Sequence, residues 1–296
     1  MTRRRPDTAA LTRRRIAQPG AIAAAWAARA PATPSSDHRL MIIAADHPAR
    51  GAFGVRDNPR AMASRPDLLG RLAEALARPG VDGVLGTADV LEDLLLMGCL
   101  DGKLVIGSMN RGGLQGASFE LDDRFTAYDA ATITRLGLDG GKVLARIGLQ
   151  DAGSVATLEA GGRAVTELAS AGRMAMVEPF LSVRSEGRVV NLLDPDSVIT
   201  SMHIASGLGA TSAHTWLKVP VVDDMHRVLD ATTLPTLLLG GDPTGDPVDT
   251  YRAWADALAH PSAAGLVVGR SLLYPRGDEV SSAVDTAAAL VHGGPR

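Results

Sequence analysis

The amino-acid sequence predicts an α/β fold, a single (β/α)8 TIM barrel with an extra N-terminal helical segment. Eight short apolar runs alternate with eight helical runs, which is the count of this fold over its usual length of about 250 residues. No Gly-x-Gly-x-x-Gly motif follows the first apolar run, which disfavours the competing doubly wound sheet. No Pro/Ser-rich linker divides the eight units. We therefore expect a basic N-terminal segment with a helix over residues 1–38 and one barrel over residues 39–296.

The composition excludes several classes of function. A formal net charge of −3 gives no reason to expect nucleic acid or a membrane surface as a partner. No apolar run reaches the roughly 18 residues that a membrane span needs. The single cysteine, Cys99, cannot form an internal disulfide, so we expect a cytoplasmic protein. No histidine has the spacing of a metal ligand, and we predict neither a metal nor a cofactor.

The N-terminal segment contains two arginine triplets, Arg3–Arg5 and Arg13–Arg15. A twin-arginine export signal would need an apolar stretch of about 7–15 residues, and Arg29 ends the apolar run too early. We therefore favour a frayed basic start followed by an Ala-rich helix, with Pro19 near its first turn, packed on the main domain.

From Arg39 onward, apolar β-type runs and helical runs follow each other in order. The runs rich in Val, Ile and Leu predict strands at 39–47, 80–87, 103–109, 142–149, 174–181, 214–222, 235–240 and 265–268. Helices are predicted at 66–77, 89–97, 126–136, 155–171, 195–208, 224–231, 248–259 and 278–291. Pro66 suits the first position of its helix.

Lys218 interrupts the sixth apolar run, where a charged group is costly unless it is paired or neutral. The chain has only three lysines, and the other two, Lys103 and Lys142, precede their predicted strands. Arginine keeps its proton, whereas a desolvated lysine can lose its proton and attack a carbonyl carbon. The alternatives are a lysine that reaches the end of its strand or one that is paired with a carboxylate.

Enzymes with this barrel build their sites at the C-terminal ends of the strands. The polar side chains predicted near those ends are Asp46, His47, Thr87, Ser108, Asn110, Arg111, Arg146, Glu178, Lys218, Asp242 and Arg270. Arg146, Glu178 and Lys218 occupy the same relative position in successive strands, which also fits a structural layer of salt bridges inside the barrel. Lys103 and Lys142 are predicted to lie at the opposite face.

Two glycine-containing strand ends predict a phosphate site. Gly240, Gly241 and Asp242 end the seventh predicted strand, and Gly269 and Arg270 end the eighth. Loops after these two strands commonly bind phosphate through backbone N–H groups, and arginine adds a charged contact. Glycines that end strands also occur in ordinary turns.

Four segments resemble the class I, Schiff-base aldolases over residues 39–275: Asp46–Gly51, Val177–Phe180, Trp216–Val219 and Gly265–Ser271. The likeness is to the archaeal-type fructose-bisphosphate, tagatose-bisphosphate and sulfofructose-phosphate aldolases, and within them to an actinobacterial deoxyribose-phosphate-aldolase-like branch linked to inositol catabolism. The resemblance implies that Lys218 forms the Schiff base with Asp46 beside it. It also implies that Gly241, Gly269 and Arg270 hold phosphate. Some members use a tyrosine as proton shuttle near the fifth strand, where this chain has Glu178, Pro179 and Phe180.

The predicted function is therefore a metal-independent class I aldolase acting on a phosphorylated sugar or sugar acid. Lys218 is expected to be kept partly neutral by desolvation and by Arg146, and Glu178 or Asp46 to move protons. The remaining predicted substrate-binding residues are His47, Ser108, Asn110, Gly240, Gly241, Asp242, Gly269 and Arg270. We also expect a homo-oligomer. Two alternatives remain, a catalytically silent barrel that binds a phosphorylated ligand and a phosphosugar isomerase or epimerase with Glu178 as base.

Overall fold

Eight short runs of Val, Ile, Leu, Ala and Gly form the strands of a closed parallel barrel in the computed structural model. The structure describes residues 6–33, 36–241, 245–277 and 279–293, so Arg3–Arg5, Asp242 and the predicted helix start at Asp278 lie outside the described residues. The strands are β1 (Leu40–Ala44), β2 (Gly83–Gly86), β3 (Leu104–Ser108), β4 (Gly140–Ile147), β5 (Met174–Ser185), β6 (Arg188–Asn191), β7 (Thr215–Pro220), β8 (Thr236–Leu239) and β9 (Ala263–Val268). All except β6 belong to the ring, which closes where β9 pairs with β1 and β4 with β5. The predicted (β/α)8 barrel is confirmed.

In the part of the chain that the structure describes, two helices precede β1, and the others follow the strands of the ring and cover its outside. They are α1 (Thr8–Ala17), α2 (Ala21–Ala28), α3 (Arg65–Leu76), α4 (Ala88–Leu96), α5 (Ala130–Leu136), α6 (Gly153–Ser170), α7 (Pro195–Ser206), α8 (Met225–Asp230), α9 (Pro247–Leu258), α10 (Arg270–Leu273) and α11 (Val280–His292). Within the described ranges, none of these helices combines the length and the apolar character needed to cross a membrane.

Side chains alternate between the two faces of each strand, and this alternation places the site. In β1, Ile42 packs inside the barrel, whereas Met41 and Ile43 pack against the helices. The inward-facing cluster that includes Ile42 also contains Leu85, Ile106, Met176, Leu237 and Val267. These apolar side chains fill the barrel interior. The polar inward-facing residues closer to the C-terminal ends therefore lie directly above an apolar layer.

The prediction that Lys142 precedes its strand and lies at the opposite face is wrong. Strand β4 begins at Gly140, so Lys142 lies inside it, buried with only 2% of its surface exposed. Glycine is required at the start of β4 because a Cβ at Gly140 would lie 2.6 Å from the Met174 carbonyl oxygen of β5. A Cβ at Gly141 would overlap the Met109 sulfur. The two glycines that resemble a turn therefore belong to a closely packed strand.

Two further elements differ from the prediction. The basic start is not frayed over its described part, because α1 begins at Thr8 with the Asp7 side chain accepting a hydrogen bond from Ala10 N. Arg15 of α1 forms ion pairs with two carboxylates of α4, and Trp26 of α2 is buried in the core. Strand β5 extends beyond the barrel and forms an antiparallel hairpin with β6.

Candidate active site

A cavity of about 350 Å³ opens at the C-terminal ends of the barrel strands. It brings together most of the predicted site residues: Asp46, His47, Arg146, Glu178, Lys218, Gly240, Gly241, Gly269 and Arg270. Lys142 and Glu120, which were not predicted, also line it. Within the described residues, no group of three or more His, Cys, Asp or Glu side chains is arranged to hold a metal ion.

A chain of alternating charges crosses the bottom of the cavity. Lys218 Nζ donates a hydrogen bond of 2.8 Å to Glu178 Oε1, and the other oxygen of Glu178 lies 2.5 Å from Lys142 Nζ. Lys142 Nζ also donates to Asp46 Oδ2 at 3.0 Å. Glu178 therefore bridges two lysines, and Lys142 bridges two carboxylates, within a buried network.

The neighbouring charges keep both carboxylates ionised. Burial opposes ionisation of Glu178, but Lys142 and Lys218 lower its pKa to about 2. Burial also opposes ionisation of Asp46, and Lys142 and Arg111 nevertheless hold its pKa well below the usual range. Burial lowers the pKa of Lys142 despite its two carboxylate partners, and the positive charge of Lys218 lowers it further. The network is therefore negative on Asp46 and Glu178 at neutral pH.

Asp46 is held from behind by groups that do not line the cavity. Arg111 Nη2 donates to Asp46 Oδ2 at 3.1 Å and to Ser108 Oγ at 2.5 Å, and Ser108 Oγ donates a longer hydrogen bond of 3.4 Å to Asp46. Ser108 has no exposed surface and is absent from the cavity wall. The sequence predicts that Ser108 binds substrate, whereas in the structure its hydroxyl contacts the Asp46 carboxylate and Arg111.

The structure also places Asn110 away from the cavity. Its Nδ2 donates to the Leu144 carbonyl oxygen at 2.6 Å, and its Oδ1 accepts from Leu144 N at 2.9 Å. Because both ends of this fully buried amide are occupied by the backbone of β4, Asn110 ties the segment after β3 to that strand. Asn110, predicted from the sequence to bind substrate, is therefore not among the residues that line the cavity.

His47 follows Asp46 and lines the cavity with a neutral imidazole. Burial lowers its pKa to about 3, and the positive charges of Arg270 and Lys218 act in the same direction against the opposing charge of Asp46. Its Nδ1 lies 3.7 Å from Asp46 Oδ1. A neutral ring at this position can donate or accept a hydrogen bond from a ligand.

Arg146 does not lie level with Lys218 and Glu178. In the sheet register Glu178 pairs with Leu144, whereas Arg146 pairs with Phe180, two residues closer to the mouth. Its Nη1 donates to the Glu120 carboxylate, and its Nη2 donates to the Glu120 carbonyl oxygen at 2.8 Å. The positive neighbour expected beside Lys218 is therefore Lys142, on the other side of Glu178, and Arg146 instead holds the loop after β3.

Arg50 fastens the same loop from the other side. This arginine ends a short 3-10 helix, His47–Arg50, directly after β1. Its Nη1 donates to the Gly113 carbonyl oxygen at 2.9 Å and forms an ion pair with buried Asp123. Sequence spacing could not reveal this contact, because about 70 residues separate the partners and both stand in loops.

Backbone and glycine geometry form the wall beside β8 and β9. Gly241 has a φ of +60°, in the left-handed region that favours glycine. A Cβ at Gly269 would overlap the Ala44 carbonyl oxygen of β1, so only glycine fits there. Arg270 begins the short helix α10 at the same wall. The two predicted strand ends therefore meet at one side of the cavity.

Solved structures of aldolases share this fold. The chain is 21% identical to an archaeal fructose-1,6-bisphosphate aldolase whose catalytic lysine is covalently bound to the carbinolamine intermediate of the substrate, with a TM-score of 0.65 over 88% of this chain and 97% of that one. A fructose-bisphosphate aldolase from Slackia heliotrinireducens is 14% identical, with a TM-score of 0.64 over 88% and 83%. These likenesses establish the fold alone. No curated protein matches the chain.

A much stronger match covers almost the whole molecule. The crystal structure of Cgl0159 from Corynebacterium glutamicum (Brevibacterium flavum) is 53% identical in sequence, with a TM-score of 0.94 over 96% of each chain. The model of the family described as Cgl0159-like matches residues 38–288. The chain therefore belongs to the Cgl0159-like family.

Proposed function

We propose that the protein is a class I aldolase that cleaves or forms a C–C bond in a phosphorylated sugar or sugar acid through a Schiff base on Lys218. The observation that carries the proposal is the buried carboxylate of Glu178 between the amines of Lys218 and Lys142, at the bottom of an open cavity. The aldolase fold of the solved relatives is consistent with this chemistry. A buried amine beside an acid/base group is the arrangement that imine formation needs.

Lys218 is better placed than Lys142 to act as the nucleophile. Lys142 contacts two carboxylates, so a neutral Lys142 would leave Asp46 without one of its closest cations. Among the described residues, the carboxylate that pairs with Lys218 is Glu178, which keeps its ion pair with Lys142 when Lys218 loses its proton. In the register Lys142 pairs with Met176, one layer below Glu178, whereas Lys218 lies level with Glu178. Lys218 is therefore the amine that lies closer to the mouth and contacts fewer carboxylates.

The reaction then needs proton transfers that Glu178 and Asp46 can supply. Glu178 accepts the proton that the Lys218 ammonium gives up, and the resulting amine attacks the substrate carbonyl carbon to form a carbinolamine. The protonated Glu178 then passes that proton to the carbinolamine hydroxyl, which leaves as water and gives an iminium ion. Deprotonation of the β-hydroxyl lets the adjacent C–C bond break, and its electron pair moves to the iminium to form an enamine. Protonation of the enamine carbon and addition of water release the second product and restore the amine. Glu178 lies within hydrogen-bond distance of the Lys218 nitrogen on which these steps would take place.

The substrate phosphate is proposed to bind at the wall beside β8 and β9. Gly240, Gly241 and Gly269 allow a ligand to approach the backbone there, and Arg270 supplies positive charge. Lys218 belongs to β7, next to this wall in the ring. A carbonyl close to the phosphate of a ligand would therefore lie near the Lys218 amine.

Borohydride trapping tests the proposal. The protein is incubated with dihydroxyacetone phosphate and a panel of other phosphorylated ketones and aldehydes, reduced with borohydride, and analysed by peptide mass spectrometry. One reduced adduct is expected, on the peptide that contains Lys218, because iminium reduction fixes the substrate carbon to that nitrogen. Lys218→Arg should abolish both the adduct and turnover, whereas Lys103→Arg, outside the cavity, should retain both.

Three results would contradict the proposal. An adduct on Lys142 would assign the Schiff base to the other lysine. Absence of any adduct over the whole panel would favour an isomerase that uses Glu178 as base, if isomerisation is observed, or a barrel that only binds its ligand. Residual turnover in Lys218→Arg would equally exclude imine chemistry at this position, because a guanidinium does not lose its proton.

Wider assignments rest on the sequence alone and stay predictions. They are a role in carbohydrate catabolism, with inositol as one source of substrate, a cytoplasmic location and a homo-oligomeric state. Each of them is compatible with the proposed chemistry, and none is required by it.

A further inference from the structure

The cavity has two ends on opposite sides of the barrel. Around the ring of eight strands, β3 and β4 lie half-way round from β8 and β9. The near end, beside β8 and β9, is the glycine and Arg270 wall. The far end is formed by Arg146 of β4, by Gln115 and Glu120 of the loop after β3, and by Asn191 of β6. A substrate bound at Lys218 extends from one end towards the other.

The positive charges at the far end are already compensated by the protein. The guanidinium of Arg146 donates to the Glu120 carboxylate and to the Glu120 carbonyl oxygen, and Glu120 is only 4% exposed. A second arginine, Arg50, follows β1 and reaches the loop after β3, where it forms its ion pair with Asp123, which is 1% exposed. Two arginines therefore line this part of the cavity without giving it a net positive charge.

The remaining polar groups at the far end are uncharged amides. Gln115 and Asn191 both line the cavity, and the Asn191 Oδ1 accepts a hydrogen bond of 2.9 Å from Ser182 Oγ. Amide groups suit the hydroxyl groups of a sugar. A second phosphate would instead bring about two negative charges to the Arg146–Glu120 pair, where it would compete with the Glu120 carboxylate for the guanidinium and be repelled by that carboxylate.

We propose that Glu120 makes this site selective for substrates with a single phosphate, held at the Arg270 end, and excludes those with a second phosphate at the far end. The proposal rests on the proposed aldolase function for the identity of the near end. Glu120 acts by occupying the guanidinium of Arg146, so a phosphate at the far end would have to break this ion pair and lie beside the freed carboxylate. Selectivity here comes from repulsion of the wrong ligand as much as from attraction of the right one.

Binding of unreactive ligands tests the proposal without depending on catalysis. Calorimetry compares a hexitol 1-phosphate with the matched hexitol 1,6-bisphosphate, open-chain sugar alcohols that have no carbonyl for Lys218 to attack. The wild-type protein should bind the monophosphate at least about tenfold more tightly, because a like-charge contact costs more than one decade of affinity. Glu120→Gln keeps the size of the side chain and should reduce this preference by about tenfold or more.

Glu186→Gln is the matched control. Glu186 is exposed in the turn between β5 and β6, outside the cavity wall. Its replacement by Gln changes the net charge of the protein by the same amount as Glu120→Gln. It should leave the ratio of the two affinities unchanged. Thermal unfolding shows whether Glu120→Gln folds. If it does not, the comparison of the two ligands on the wild-type protein still tests the preference for a single phosphate.

Equal or tighter binding of the bisphosphate by the wild-type protein overturns the proposal. An unchanged ratio in a folded Glu120→Gln protein overturns the role of Glu120. Neither result affects the Schiff base, which borohydride trapping tests separately. Conversely, a protein that traps no carbonyl compound but prefers the monophosphate retains the selectivity and loses the aldolase function.

Discussion

The Lys142 ammonium group contacts carboxylates from two different strands, Asp46 after β1 and Glu178 in β5. Each of these buried ions would cost several kcal/mol if it were left alone, so the stability of the network depends on how many partners each charge keeps. Glu178 has two lysine partners, and Asp46 is supported by Lys142 and Arg111. The two lysines are therefore not equivalent in stability, although both are 3% exposed at the side chain.

This difference predicts the effect of removing each amine. Lys142→Met should lower the free energy of unfolding by roughly 3–5 kcal/mol, because it removes a cation from two buried carboxylates at once. Lys218→Met should cost less, because Glu178 retains Lys142. Urea denaturation at pH 7 measures both values. A greater loss of stability in Lys218→Met than in Lys142→Met would show that the ion pair of Lys218 is the structural one and would weaken its assignment as the nucleophile.

At the scale of elements, the cavity has two walls. The segments after β1 and β3 and the end of β4 form one wall, which ion pairs hold together. The ends of β8 and β9 form the other. Arg50 and Arg146 hold the loop after β3 through buried ion pairs. The glycines at the opposite wall leave the backbone accessible at Gly240 and Gly241. The arginines at one wall therefore maintain structure, whereas Arg270 at the other wall is the one we expect to bind a ligand.

Arg270→Ala should weaken binding of dihydroxyacetone phosphate by roughly 1.5–3 kcal/mol, the range for a hydrogen bond to a charged group. The expected effect is mainly on affinity, since Arg270 is assigned to the phosphate and not to the reacting carbons. Calorimetric titration measures it. Arg252→Ala, at an exposed arginine of α9, is the control and should bind normally. If the affinity is the same in Arg270→Ala, the phosphate lies elsewhere in the cavity.

At the scale of the whole molecule, the end of α11 meets the segment that precedes β1, at the face of the barrel opposite the cavity. His292, at the end of α11, lies 2.7 Å from Asp37, which precedes β1, and 3.1 Å from Asp82, which precedes β2. Burial opposes protonation of His292, but its hydrogen bond with Asp37 and the charge of Asp82 raise its pKa. The protonated imidazole therefore joins the last helix to the first two strands.

The raised pKa predicts that this contribution depends on pH. A histidine whose pKa is higher in the folded than in the unfolded chain stabilises the fold below the unfolded value of about 6.5, and the stabilisation disappears as pH rises through the folded pKa. His292→Gln should therefore lose more unfolding free energy at pH 6 than at pH 9. Urea denaturation of both proteins at both pH values measures the difference. The same loss at pH 6 and pH 9 would show that the ring acts through packing alone.

The sequence by itself determined the barrel, the buried position of Lys218 and the glycine wall. These features follow from short-range information, because apolar runs alternate with helical runs and because a lysine inside an apolar run is costly wherever the run lies. Glu178 and Asp46 could be assigned in the same way, from their places at the ends of such runs. The glycines at 240, 241 and 269 mark positions where the backbone must come close to another chain segment or turn sharply.

Only the tertiary structure decided how the site is completed. Gly140 and Gly141 look like a turn in sequence, and it is the approach of Met174 and Met109 that makes them part of β4 and turns Lys142 towards Glu178. Arg50 and Glu120 stand in loops, where no periodicity indicates a direction. Their partners come from distant parts of the chain, so their roles are set by which charges the closed barrel buries together, since a buried charge must be paired wherever its partner lies in the sequence.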